Sequence, residues 1–422
     1  MCDTFVAMPG HTGSRHLIFG KNSDREPDEA QAIVRIPAMQ HPEHRLPCTY
    51  ITIPQVRETF SVILSKPFQM WGAEMGVNEH GLVIGNEAVF TRIRFPKKNT
   101  GLSGMDMLRL ALERCRSAAQ ALELITDLLA DYSQDACGGY QNRRFFYANS
   151  FLIADVKEAW VLETAGHHWA AQRVNTGFRS ISNILTIEED YDLISREAVS
   201  FAQRKGWIGR GKLFSFKGAF SDWLYTMMAR GRQRKCITTE WGNACAGILD
   251  VQAAMNILTT HHPPGDDFLP SRCTTASICM HATGLTNPSN TTGSMIAEIR
   301  PDGQLMVWLT GTSLPCLSVW KPFFFSAGGE VWKEEALLAE PGPKPDASLW
   351  WQAEAVHRKL VKDYRRGHSF IQSDRTSLQE KLLTTAAELW SKQAKDAELE
   401  IFSQNALKGH LSLLKDWSQK LA

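Results

Sequence analysis

Three features of the sequence predict a layered α+β fold. Short β-type runs bounded by turn residues fill most of the first 330 positions, amphipathic helical patterns interrupt them, and β-type runs vanish after Leu349. The order is strands, paired helices, strands, helices, strands. That order argues against a regular βαβ alternation. The β-type runs include Thr4–Met8, His16–Gly20, Ser61–Ser65, Gly81–Glu87, Ser150–Asp155, Ala159–Thr164 and Gln304–Thr310, with turns such as Asn78–Gly81, Ala165–Gly166 and Pro301–Gly303.

The helical elements are read from period and caps. Ser103 followed by Asp106 is a capping-box pattern. Leu108, Leu112, Cys115, Ala119, Leu122, Ile125 and Leu129 then recur at three- or four-residue steps, the spacing of one helix face. A further helical stretch is expected over 191–205. Ala339–Asp346 is a Pro-rich connector, after which Asp346 or Ser348 caps the first of two or three amphipathic helices. The expected division is a main domain over 2–330, a connector over 331–348 and a helical extension over 349–422. The extension packs on the main domain, with a dimerisation helix pair, and so a homo-oligomer, as the alternative.

The composition narrows the function classes. The 422 residues carry 43% hydrophobic and 22% charged residues, enough for a sizeable core and against wholesale disorder. A net charge of +1 gives no global field to attract nucleic acid or an anionic membrane. No run approaches the ~18 apolar residues of a membrane span, and the N-terminus lacks a signal-peptide pattern. The expected location is cytoplasmic. The nine cysteines show no C-x-x-C spacing, so a zinc ribbon is not expected and most are read as reduced thiols. Cys273 and Cys279 are read as plain buried thiols. His167-His168 and His261-His262 are read as loop or surface residues, because adjacent histidines rarely chelate one metal. Arg230–Lys235 is read as a solvated basic loop, with a carboxylate or phosphate contact as the alternative.

One cysteine stands apart by position. If Met1 is removed, Cys2 carries a free α-amine beside its thiol. That amine has a reference pKa of ~7.7–8.0 and is able to take the thiol proton. Asp24, in Gly20-Lys21-Asn22-Ser23-Asp24-Arg25, is an acceptor for an α-ammonium, and Lys21 and Arg25 are donors that favour a nearby thiolate. Trp71–Val89 reads as a hairpin in which Asn86 sits within the returning strand, where Asn is depleted. An Asn amide there serves either the sheet or an oxyanion. Trp71 is a candidate to line an apolar substrate pocket, with core packing as the alternative.

Taken together, Met1–Ala7, Gly20–Arg25, Gly76–Gly81, Gly85–Val89, Ala148–Asp155, Glu158–Thr164, Ser180–Asn183, Ser271–Ser277 and Ser318–Phe323 resemble the secernins and the related bacterial C69 dipeptidases. The resemblance covers residues 2–326 in unbroken order. It implies an N-terminal-nucleophile hydrolase fold, a four-layer αββα sandwich, here with a C-terminal helical extension. It also implies Cys2 as nucleophile, Asp24 near the amine, Asn86 on the oxyanion side, Asn183 as a second Asn, and Arg272 as the later Arg, with Arg230, Arg232 and Arg234 not far upstream as rivals. Lys21, a candidate substrate contact, stands where the related penicillin V and bile-salt acylases carry Arg, which keeps the charge and loses the bidentate fork. The implied activity is hydrolysis of small peptides, most simply dipeptides, with no metal and no cofactor. Two alternatives stay open: a non-hydrolytic regulatory protein, since secernins are linked with secretion, and a linear-amide acylase.

Overall fold

The computed structural model describes residues 1–209, 211–325 and 338–421. The class is mixed α and β. A six-stranded antiparallel sheet runs in the order Phe178–Ser182, Cys2–Ala7, Leu17–Arg25, Asn290–Ile299, Leu305–Leu309, Lys321–Phe323. An eight-stranded antiparallel sheet runs Leu193–Ile194, His168–Val174, Ala159–Ala165, Ala148–Ala154, Val83–Val89, Met75–Asn78, Val62–Pro67, Gln31–Ile36. Two two-stranded ribbons, from residues 39–59, complete the β structure of the described residues.

Alternation along the strands assigns each face to a core. Val6, Leu17, Phe19, Met295 and Val307 of the first sheet meet Val77, Val83, Leu152 and Val161 of the second in one shared core. Residues one step along point the other way. Phe5, Ala7, Ile18, Ile296 and Trp308 pack against Ala254, Met255, Leu382, Ala386 and Phe402, which lie on helices. On the far face of the larger sheet, Leu64, Ile84, Phe151 and Leu162 pack against Leu108, Leu112, Leu122 and Ile125. This is the period-2 consequence of burying both faces of a strand.

The helix caps follow the sequence. Helix α1 (Gly104–Arg114) starts in a full capping box of Ser103 and Asp106. Helix α2 (Ala118–Tyr132) is a separate helix, because Ser117 takes an extended conformation and caps it through the Gln120 N–H. The 191–205 stretch is helical only over Ala198–Arg204. Leu193–Ile194 instead pairs with Ala170–Ala171 as an edge strand, so tertiary pairing overrides the local pattern there.

Ser348 caps the first of three C-terminal helices, Leu349–Lys362, Tyr364–Ser391 and Asp396–Lys420. Their buried side chains join the main cores. Leu349, Val356 and Trp417 belong to the inter-sheet cluster, and Trp350 Nε1 donates to the Thr292 carbonyl at 2.9 Å. Burying side chains of this size contributes about 2–3 kcal/mol each. The expected boundary at 330/331 and the first part of the connector lie outside the described residues. No helix among the described residues is long and apolar enough to cross a membrane.

Candidate active site

Cys2 opens the first strand, β1 (Cys2–Ala7), which is buried along its whole length. It pairs with β2 (Leu17–Arg25) in the register Cys2↔Ser23 and Thr4↔Lys21. Cys2, Thr4 and Val6 therefore share the inter-sheet face with Lys21, while Asp3 and Phe5 point towards the helices. Lys21 is fully buried, with Nζ 3.7 Å from Glu74 Oε2 and 3.9 Å from Glu87 Oε1. Gly85 makes room for it: a Cβ there would come 2.6 Å from Lys21 Cδ. Thr4 Oγ1 donates to Glu87.

The Cys2 thiol lies in a ring of named groups. Its Sγ is 3.9 Å from Glu74 Oε2 and accepts from the Asp24 N–H at 3.4 Å. Glu74 also takes a hydrogen bond from Arg25 Nη1 at 3.0 Å. Asn86 adjoins the same carboxylate. In one amide orientation its Nδ2 donates to Asn149 Oδ1 at 3.2 Å; in the other it donates to the Glu74 carbonyl at 3.1 Å and to Oε2 at 3.2 Å.

The Cys2 backbone is held as firmly as the side chain. Its N–H donates to Asn183 Oδ1 at 2.8 Å. Arg234 Nη1 donates to the Cys2 carbonyl at 2.9 Å and to Asp3 Oδ2 at 2.6 Å, and Nη2 donates to Asn183 Oδ1 at 2.7 Å. Asn183 in turn donates to the Ala88 carbonyl at 2.8 Å, tying the two sheets. Arg234 reaches this point because its helix, Gly231–Ala244, sits close on the Phe178–Ser182 strand. Gly242 allows the approach: a Cβ there would come 2.4 Å from the Phe178 ring.

Asp24 projects to the other side of β2. Its Oδ1 accepts from Thr291 Oγ1 at 2.6 Å, and its carbonyl accepts from the Met1 amino group at 2.8 Å. Burial lifts the Asp24 carboxyl to about 6, against the pull of the N-terminal charge. Burial also lifts Glu87 to about 8 and pushes the Cys2 thiol up to about 12, although Lys21 opposes both. Burial alone would lower Lys21, but its acidic neighbours Cys2, Glu87 and Glu74 outweigh that and raise it. With Met1 in place the thiol is thus protonated near neutral pH, with the Glu74 carboxylate as its nearest acceptor.

Met1 and Asp24 border a cavity of about 450 Å³. Its walls include Phe90, Phe145, Tyr225, Met228 and Leu285, with Arg25 and Glu26 on the polar side. Glu26 is already engaged by the N–H groups of Tyr140, Gln141 and Asn142.

The structure brings Cys2, Lys21, Asp24, Asn86 and Asn183 together, and it leaves out two residues expected from sequence. Arg272 is exposed on the short 3-10 turn Pro270–Arg272, and Arg234 occupies the place beside Cys2. Trp71 is half-buried with the Arg109 guanidinium 3.9 Å from its ring centre, packed beside α1. It does not line the cavity. Lys21, expected to contact substrate, lies behind the thiol as a buried counter-charge. The sequence reading missed Glu74 and Glu87. Arg234 was held only as one of several upstream arginines in a basic run, and its contact with Asp3 is the carboxylate alternative given for that run. The helix face picks it out: Gly231, Arg234, Thr238 and Gly242 form the buried stripe.

Comparison with known proteins gives the family. A probable dipeptidase B from Lactococcus lactis subsp. lactis (strain IL1403) is 32% identical over 111 residues, covering 25% of this chain and 21% of that protein. The chain thus spans about a fifth of the length of that relative. The structure of penicillin V acylase from Agrobacterium tumefaciens aligns at a TM-score of 0.44 and 11% identity, covering 77% of this chain and 86% of that one. A variant of conjugated bile acid hydrolase from Clostridium perfringens aligns at 0.40 and 12% identity, covering 77% and 90%. The profile described as peptidase family C69 matches residues 11–224, half of the sequence, and the chain belongs to that family.

Proposed function

We propose that the chain is a cysteine amide hydrolase of the N-terminal-nucleophile type, with a four-layer αββα sandwich as its scaffold, acting on small peptides. One observation carries the proposal. The Cys2 backbone nitrogen already sits 2.8 Å from Asn183 Oδ1, its carbonyl is clamped by Arg234, and the residue before it, Met1, borders an apolar cavity. Removal of Met1 frees that nitrogen as an α-amine and widens the cavity at the same stroke.

The chemistry then follows from the residues. The amine, held by Asn183 and biased by Asp24, takes the thiol proton. The thiolate attacks the amide carbonyl and forms a tetrahedral oxyanion. Asn86 and a backbone N–H are the donors for that charge, where one such donor supplies about 3 kcal/mol. The C–N bond breaks as the ammonium returns its proton to the leaving nitrogen. Water, deprotonated by the same amine, then attacks the thioester and regenerates the thiol. Lys21 and Glu74 set the potential beneath the sulfur throughout. Membership of family C69 and the dipeptidase relative support peptides, and dipeptides in particular, as the substrate class.

A second reading has its own support. The walls formed by Phe90, Phe145, Tyr225, Met228 and Leu285 suit an apolar acyl group, as in a linear-amide acylase. A panel of dipeptides and N-acyl amino acids, assayed with wild type and Cys2→Ala, separates the readings. Dipeptide turnover that Cys2→Ala abolishes supports the peptidase; turnover of N-acyl substrates alone supports the acylase. Equal turnover by both proteins overturns the mechanism.

A further inference from the structure

Away from Cys2, four side chains of metal-binding type converge. His261, Cys279, His281 and Cys316 each present one donor atom, and these atoms all lie within 4.8 Å of one another. Cys316 Sγ is 3.4 Å and Cys279 Sγ 3.7 Å from His281 Nε2. A tetrahedral ion with Zn–S of ~2.3 Å and Zn–N of ~2.0–2.1 Å sets sulfur and nitrogen roughly 3.5 Å apart. The observed edges match that spacing, and the wider ones close by about 1 Å around an ion. We propose that His261, Cys279, His281 and Cys316 bind a structural Zn²⁺ ion in a closed Cys₂His₂ site.

The chemistry of the donors favours zinc. Two thiols and two imidazoles in a tetrahedral arrangement suit Zn²⁺ and leave no open position for water. Each thiol loses a proton on binding, so two thiolates neutralise the dication and no electron is transferred. Cys279, His281 and Cys316 are buried, and both thiols are free. Uncharged burial of the ion is therefore achieved by the ligands alone.

The supporting shell fixes the ligands. The His261 ring stacks on Phe268 with centroids 3.7 Å apart and planes at 1°. The Cys279 N–H donates to the Thr260 carbonyl at 2.9 Å, joining two ligand loops. Asn287 Nδ2 donates to the His281 carbonyl at 2.7 Å. A cavity of about 1000 Å³ reaches His261 and Cys316 and gives an ion a route in. Cys279 is the buried free thiol and His261 the loop residue read from the sequence, and the proposal adds a role to each. The ligands lie at 261, 279, 281 and 316, a spacing without a C-x-x-C element.

The site also bears on Asp24. Met280, between two ligands, donates its N–H to Thr291 Oγ1 at 2.8 Å, and that hydroxyl donates to Asp24 Oδ1. The ion would thus pin the loop that orients Asp24.

Metal analysis of the full chain, purified with reductant and without added metal, tests the assignment. About one zinc per chain is expected, lost in Cys316→Ser and kept in Cys115→Ser, a control at another buried thiol. The metal-free wild type, given Co²⁺, is expected to develop the intense visible bands of tetrahedral cobalt and a near-ultraviolet thiolate band. A zinc-free wild type that gives no such spectrum overturns the proposal, as does a Cys279–Cys316 disulfide in the purified protein. If Cys316→Ser does not fold, the cobalt spectrum of the wild type decides alone.

Discussion

Arg234 and Cys2 share one acceptor: Asn183 Oδ1 takes Arg234 Nη2 at 2.7 Å and the Cys2 N–H at 2.8 Å. The guanidinium thereby orients the amide that holds the backbone of the proposed nucleophile. It also neutralises Asp3, which is buried beside it.

Arg234→Ala leaves the Asp3 carboxylate buried and unpaired. A destabilisation of about 3–5 kcal/mol is expected in urea unfolding. Arg234→Lys keeps the charge but loses the fork, so it is expected to fall between the two. A loss below about 1 kcal/mol for the Ala variant would show that the network carries little.

Arg272→Ala separates the two arginines. The side chain is exposed on its turn. Stability within about 0.5 kcal/mol of wild type, with unchanged turnover, is expected. A large loss of turnover would return Arg272 to the site.

Asp24 makes stability depend on pH with a definite sign. Its carboxyl is lifted from 3.8 to about 6 in the folded chain carrying Met1. The folded state then favours the protonated acid, so this contribution is complete below about pH 4 and is lost as pH rises through about 6. The loss is on the order of 2–3 kcal/mol. Urea midpoints of wild type relative to Asp24→Asn are expected to fall over that window. Parallel curves for the two proteins would contradict the assignment.

The apolar walls are expected to set substrate preference. Tyr225→Ala or Phe145→Ala is expected to raise KM about tenfold for substrates with a large apolar substituent and to leave kcat nearly unchanged. Loss confined to kcat would remove these residues from the binding surface.

Much of this was legible in the sequence where the signal is local. The Ser103–Asp106 box, the Ser348 cap and the Asn78–Gly81 turn are short-range hydrogen-bond patterns, and each forms as read. Cys2, Asp24, Asn86 and Asn183 were marked by motif order, and antiparallel pairing gathers them. Arg234 was legible only as one of several arginines, because a basic run reads alike whether solvated or buried; the helix face decides among them. Glu74 and Glu87 carried no such signal, because their burial follows only once the tertiary fold covers them. The Cys₂His₂ grouping draws on separate loops that only the tertiary fold brings together.

The identity of the residue that forms the covalent intermediate tests the central claim most directly. Enzyme mixed with a turned-over amide is quenched in acid, and its N-terminal peptide is weighed. The expected peptide begins at Cys2 and carries the acyl group as a hydroxylamine-sensitive thioester, with no adduct and no turnover in Cys2→Ala. Full activity in protein that retains Met1, or an acyl group on any other residue, would contradict it.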